Sequence, residues 1–234
     1  MKNHDFNTIE SADGTEMDVY IAHPGDTGHY PGIILLQEAA GVNGHIRNIA
    51  ERLCSEGYYV IAPDLYHRTV HRLEAGYTDF AQVAPHYQAL DRKSLTIDLE
   101  ACYHELLQQT NIIKGKIGSL GFCLGGKVSL LANARLPLSA AVSYYGGGMD
   151  EYKNEIVDLH GPHLFYWAGL DQHIPQETVD TVMAEVKKAG KDYTAITYSY
   201  AQHGFNCDER ESYHRFAARE AWANTLNFLN NRLK

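Results

Sequence analysis

The residues best placed to do chemistry lie in the stretch Gly118-Ser119-Leu120-Gly121-Phe122-Cys123-Leu124-Gly125-Gly126. It contains G-x-C-x-G, the strand-to-helix elbow of a nucleophile, with cysteine where serine is more usual. A nucleophile raised above a sheet by so sharp a turn sits in strained backbone. Side chains two positions to either side would collide, and Gly121 and Gly125 remove that collision. The helix expected to start at Leu124 points its N–H groups and positive dipole end at the sulfur, which favours a thiolate. Two plainer readings compete. A glycine-rich turn can cradle phosphate, although neither G-x-G-x-x-G nor GK[ST] is present, and Cys123 could be a buried structural thiol.

A nucleophile in this setting needs an acid and then a histidine further along, each after a strand. Asp171 follows the apolar run His163–Ala168, and His203 follows the run Tyr193–Tyr200. The order Cys, Asp, His is therefore met. In that arrangement His203 takes the thiol proton and later activates water, while Asp171 orients the imidazole and stabilises its cation. Taken singly, either residue reads as ordinary. An Asp after a strand is often a helix N-cap, and the chain holds 13 histidines.

The elements that must hold these residues follow from periodicity. Short apolar runs alternate with helical patterns, the mark of βαβ units and a parallel sheet. Strands are expected at Met17–Ala22, Gly32–Leu36, Tyr58–Ala62, Lys116–Gly121, Ala140–Tyr144, His163–Ala168 and Tyr193–Tyr200. Helices are expected at His45–Ser55, Leu95–Leu107, Leu124–Ala134, Pro175–Lys188 and Tyr213–Leu229. The fold class is α/β, a mostly parallel central sheet with helices on both faces, in one domain over residues 1–234. The stretch Leu65–Asp91 breaks the pattern. It reads as a lid or pocket wall, or else as a short helix with surface turns.

A net charge of −9 argues against a nucleic-acid surface. The N-terminal Met1-Lys2-Asn3-His4-Asp5 has no apolar core of the kind a secretory signal needs, and no apolar run reaches membrane-spanning length. A cytoplasmic location is the expectation, with Cys54, Cys102, Cys123 and Cys207 as free thiols. His67 and His71, four apart, could share a zinc-binding helix face. No Glu follows His67 and the stretch looks loop-like, so no metal and no cofactor are expected.

With these residues assembled, the chain resembles the dienelactone hydrolase family. The matching segments are Gln37-Glu38-Ala39-Ala40-Gly41-Val42-Asn43, Ala62-Pro63-Asp64-Leu65-Tyr66, Gly121-Phe122-Cys123-Leu124-Gly125-Gly126, Gly169-Leu170-Asp171 and His203-Gly204-Phe205. The resemblance implies hydrolysis of a small ester or lactone through an acyl-cysteine. It also implies that Glu38 lies near the resting thiol and helps take its proton. The oxyanion hole would be the backbone N–H groups of Leu124 and Ala39. Tyr145 could line the acyl pocket. The sequence departs from the family at one place, for Cys207 stands four residues after His203, where a carboxylate-holding arginine can occur. Arg210, Arg68 and Arg72 are the candidates to replace it, and the substrate class stays open. The alternatives are a broad carboxylesterase or thioesterase on the same site, or a non-catalytic module that binds a small ligand. The sequence does not speak to oligomeric state.

Overall fold

The computed structural model describes residues 3–234; Met1 and Lys2, which open the polar N-terminal stretch, lie outside them. The chain falls into two compact units, Met1–Ile117 and Gly118–Lys234, described in turn.

In the first unit, β1 (Asn3–Glu10) pairs antiparallel with β2 (Glu16–His23). β2 pairs antiparallel with β4 (Tyr59–Pro63), and β4 runs parallel to β3 (Tyr30–Leu36). β1 is absent from the sequence expectations because it carries only Phe6 and Ile9 as large apolar residues, too few to show a period. Strand β3 leads through the 37–43 loop into α1 (Gly44–Ser55), whose N-cap Asn43 accepts from the Ile46 N–H at 3.2 Å. His45, Ile46, Ile49, Ala50, Leu53 and Cys54 form its buried face.

The irregular stretch after β4 is a series of turns followed by a short helix, α2 (Phe80–Gln88), the second of the two readings above. Its turns are laced to the 40–47 segment. Ala75 N–H donates to the Ala40 carbonyl at 3.1 Å, and Asn43 Nδ2 donates to the Tyr77 hydroxyl at 2.9 Å. Arg47 meets Glu74 at 2.6 Å. Then comes α3 (Arg92–Gln108), whose stripe Leu95, Leu99, Cys102 and Leu106 is buried as its spacing requires.

β5 (Ile112–Phe122) begins in the first unit and ends in the second. In the second unit β5, β6 (Ala140–Tyr144), β7 (His163–Ala168) and β8 (Tyr193–Tyr198) pair in parallel, in that order. Alternation along β6 shows which helix covers which face. Ser143 reaches the Gly126 carbonyl of α4 (Leu124–Arg135), whereas Tyr144 reaches Thr225 of α6 (Arg215–Leu233). The two helices therefore lie on opposite faces. Between β6 and β7 runs a 3₁₀ segment, Met149–Asp158, which packs against α5 (Gln176–Lys188). Among the described residues no helix is long and apolar enough to cross a membrane.

Candidate active site

The sequence folds locally so that Cys123 stands at the junction of β5 and α4, with φ 53° and ψ −113°. Positive φ costs an L-residue of order 1 kcal/mol or more, so the surroundings must enforce it. They do so by close approach. A Cβ at Gly121 would lie 1.9 Å from the Gly125 carbonyl oxygen, and one at Gly126 2.7 Å from that of Tyr144. The Cys123 N–H donates to the Tyr144 carbonyl at 3.0 Å, and its own carbonyl accepts from Gly126 at 3.0 Å. Cys123 is partly exposed, whereas Cys54, Cys102 and Cys207 are buried. Leu124 is the first residue of α4, so its N–H belongs to the turn that has no intrahelical acceptor.

Two loops of the same unit bring the other candidates together. A Cβ at Gly169 would lie 2.5 Å from the Ser199 Cα, so the ends of β7 and β8 approach as only glycine allows. The Leu170 N–H donates to the Ala201 carbonyl at 2.9 Å and ties the loops together. Asp171 Oδ2 then meets His203 Nδ1 at 2.8 Å, and Asp171 Oδ1 accepts the N–H groups of His173 at 2.8 Å and Ile174 at 3.0 Å. With Nδ1 so engaged, Nε2 is the nitrogen left to face another group, and the Cys123 sulfur lies near enough to bear on the charge of His203.

The electrostatics follow from this geometry. Burial alone would lower the His203 pKa. The nearby Cys123 sulfur and the Asp171 hydrogen bond outweigh it and push His203 up to about 10. Burial likewise would raise Asp171, but the His203 hydrogen bond and charge, together with the two loop N–H groups, hold its carboxyl below the usual range.

Tyr145 is fully buried, at φ 36°, with its ring centroid 5.1 Å from that of His203 and 5.1 Å from that of Phe205. It is thus a wall for the imidazole. Arg210 lies close by: a Cβ on Gly204, next to His203, would meet its Cζ at 2.7 Å. The other two arginines are tied to the fold of the first unit. Arg68 forks onto Asp98 at 2.7 and 2.8 Å and onto Asp13 at 2.8 and 3.0 Å. Arg72 Nε bonds Asp18 at 2.5 Å, and its guanidinium lies 4.1 Å above the Phe6 ring. Two carboxylates thus share the guanidinium of Arg68, and one holds the Nε of Arg72.

Also in the first unit, Glu38 is buried at the end of β3, where its carbonyl accepts from Gly41 at 3.1 Å. The Ala39 carbonyl accepts from the Tyr66 hydroxyl at 3.1 Å. Sequence reasoning passed over His173, whose ring stands edge-on to His203 at 5.0 Å. Its position two residues after Asp171 is the signal that could have marked it.

The mostly parallel strands, with helices on opposite faces and a strand-to-helix elbow at Cys123, make this an α/β-hydrolase fold. The same backbone occurs in an acylaminoacyl peptidase from Pyrococcus horikoshii, with TM-score 0.78 at 15% identity over 100% of this chain and 42% of that one, a likeness of fold alone. The crystal structure of a "Putative Dienelactone Hydrolase" from Klebsiella pneumoniae is more similar, with TM-score 0.86 at 30% identity, covering 98% and 99% of the two chains. The family model "Dienelactone hydrolase family" matches residues 17–233, and the chain belongs to that family. A relative from Yersinia pestis, named "Putative carboxymethylenebutenolidase", is 34% identical over 96% of this chain and 87% of its own length. One of the same name from Escherichia coli K12 is 35% identical over 94% and 84%.

Proposed function

We propose that the protein hydrolyses a small carboxylic ester or lactone through an acyl-cysteine formed on Cys123. The observation that carries this reading is the 2.8 Å bond that holds His203 Nδ1 on Asp171. It fixes the tautomer and leaves the remaining nitrogen for the sulfur at the elbow. The relatives named for cleavage of carboxymethylenebutenolide, an unsaturated lactone, support the substrate class.

The steps use the residues as they stand. The Cys123 sulfur attacks the ester carbonyl as thiolate, with its proton on His203. The Leu124 N–H, at the positive end of α4, stabilises the oxyanion. Collapse of the adduct breaks the C–O bond to the alcohol, and His203 gives its proton to the departing alkoxide. In a lactone that alkoxide stays attached to the acyl chain. Neutral His203 then takes a proton from water, the hydroxide attacks the thioester, and the carboxylic acid leaves as the thiolate–imidazolium pair is restored. Asp171 stabilises that imidazolium throughout. The roles of Glu38 and Ala39 are those implied by the family resemblance. Arg210, packed beside Gly204, is the arginine best placed to attract a substrate carboxylate. The reaction needs no metal or cofactor, and free thiols accord with a cytoplasmic home.

Hydrolysis of a dienelactone and of p-nitrophenyl acetate by the wild type and by Cys123→Ala tests the proposal. We expect turnover that falls on the order of 10³-fold or more in the variant, as when a nucleophile is removed. Turnover that persists in Cys123→Ala overturns it.

A further inference from the structure

Below the elbow, three buried polar side chains link β7, α4 and β6 in a line: Asn133, His163 and Ser143. The hydrogens along the line can be assigned from its ends. The Gly161 N–H donates to Asn133 Oδ1 at 2.9 Å, which makes Nδ2 the donor end of that amide. Nδ2 donates to the Gly161 carbonyl at 2.9 Å and to His163 Nδ1 at 3.2 Å. A neutral imidazole that accepts at Nδ1 carries its hydrogen on Nε2. That Nε2–H faces Ser143 Oγ at 2.8 Å, so the hydroxyl hydrogen is free to point onward, and it donates to the Gly126 carbonyl at 2.7 Å. Full burial keeps His163 neutral, its pKa pushed down to about 3. Its ring also stacks on Phe165, with centroids 4.1 Å apart.

The far end of the line is the turn that carries the sulfur. Gly126 lies three residues past Cys123 and donates to the Cys123 carbonyl at 3.0 Å. Leu124, with the proposed oxyanion donor, sits between them. We infer that Ser143, oriented by His163, is a positioning residue for the cysteine chemistry: its hydroxyl holds the Gly126 peptide and thereby sets where the first turn of α4 aims its N–H groups. A polar line in a dry core adds little net stability over apolar replacements of the same shape, but it imposes one direction. The inference rests on the reading of Cys123 as nucleophile.

Ser143→Ala, Ser143→Thr, His163→Phe and the double variant Ser143→Ala/His163→Phe test it, with p-nitrophenyl acetate as substrate and urea unfolding alongside. The phenyl ring keeps the stacking on Phe165 while removing the donor. Ser143→Ala should lower kcat about tenfold, the cost of about 1.4 kcal/mol in the transition state, with KM unchanged. Ser143→Thr should recover most of the loss, and the double variant should be no slower than Ser143→Ala alone. A kcat within twofold of wild type in folded Ser143→Ala overturns the inference, and so does additive loss in the double variant. If Ser143→Ala does not fold, His163→Phe against wild type decides by the same kcat and KM criterion. Cys123→Ala run in parallel separates the two failures. Activity that survives there overturns the nucleophile reading, whereas activity that needs Cys123 but ignores Ser143 and His163 overturns this inference alone.

Discussion

Among the described residues two buried histidine–aspartate pairs stand in contrast, and the proposed function gives chemistry to only one of them. In the first unit, His67 Nε2 meets Asp98 Oδ1 at 3.2 Å, with side-chain exposures of 4% and 1%. In the second, His203 Nδ1 meets Asp171 Oδ2 at 2.8 Å, with exposures of 7% and 4%. Burial and pairing alone do not tell them apart. What differs is the destination of the other atoms. His67 Nδ1 lies 2.9 Å from the Glu16 carbonyl, and Asp98 is forked by Arg68 and bonded by Ser11. Every polar atom there ties one segment of the first unit to another. His203 instead has the Cys123 sulfur, on strained backbone, near enough to raise its pKa, and Asp171 spends its other oxygen on two N–H groups of its own loop. A buried His–Asp pair is structural when both residues are consumed by the fold, and a catalytic candidate when one nitrogen is left for a nucleophile.

The sharpest way to break this comparison is to make the same change in both pairs. Asp171→Asn should cut kcat on the order of 10³- to 10⁴-fold, because an amide no longer fixes the tautomer or stabilises the imidazolium, while the urea midpoint moves little. Asp98→Asn should do the reverse. It leaves the Arg68 and His67 donors facing a neutral group, at a cost of about 3 kcal/mol in stability, with kcat near wild type. Steady-state kinetics and urea unfolding on both variants check the pair. Equal effects of the two changes would erase the distinction.

A smaller effect is expected from pH. The His203 pKa is raised, so its stabilising contribution is complete below the ordinary imidazole value of about 6.5 and is lost as pH rises through about 10. Asp171 is lowered, so its contribution is present above the ordinary carboxylate range and is lost only as pH falls through its folded value. Since the imidazolium also protonates the leaving group, kcat/KM should fall tenfold for each pH unit above about 10, as a single essential proton is lost. A pH–rate profile checks this. An alkaline limb near the ordinary imidazole value would mean that the sulfur and the carboxylate do not hold the proton on His203.

Much of this was legible in the chain. The runs Ala140–Tyr144 and His163–Ala168 coincide with β6 and β7, because buried parallel strands read as unbroken apolar runs. That Asp171 and His203 meet was foreseeable from their order, since each strand end of the fold has a set place in the sequence. What stayed open or hidden has physical causes as well. α2 was one of two readings of its stretch, whose Pro85 and scattered rings blur the helical period. The ion pairs of Arg68 with Asp98 and Asp13 and of Arg72 with Asp18 were hidden because a sequence does not show which carboxylate comes back from 30 or 50 residues away. Pairing over such distances exists only after folding. The Ser143–His163 line was invisible for the same reason, as both residues sit inside apolar strands and read as core.

The uneven burial of the four thiols has a practical consequence. Cys54, Cys102 and Cys207 are enclosed, burial raising the Cys102 pKa further, and Cys123 alone is partly open. A folded sample given an alkylating agent should therefore gain a single adduct by mass, and the same sample in denaturant four. Under the proposed mechanism the single adduct counts competent molecules one by one, so the fraction of any preparation that is alive can be weighed before a substrate is known.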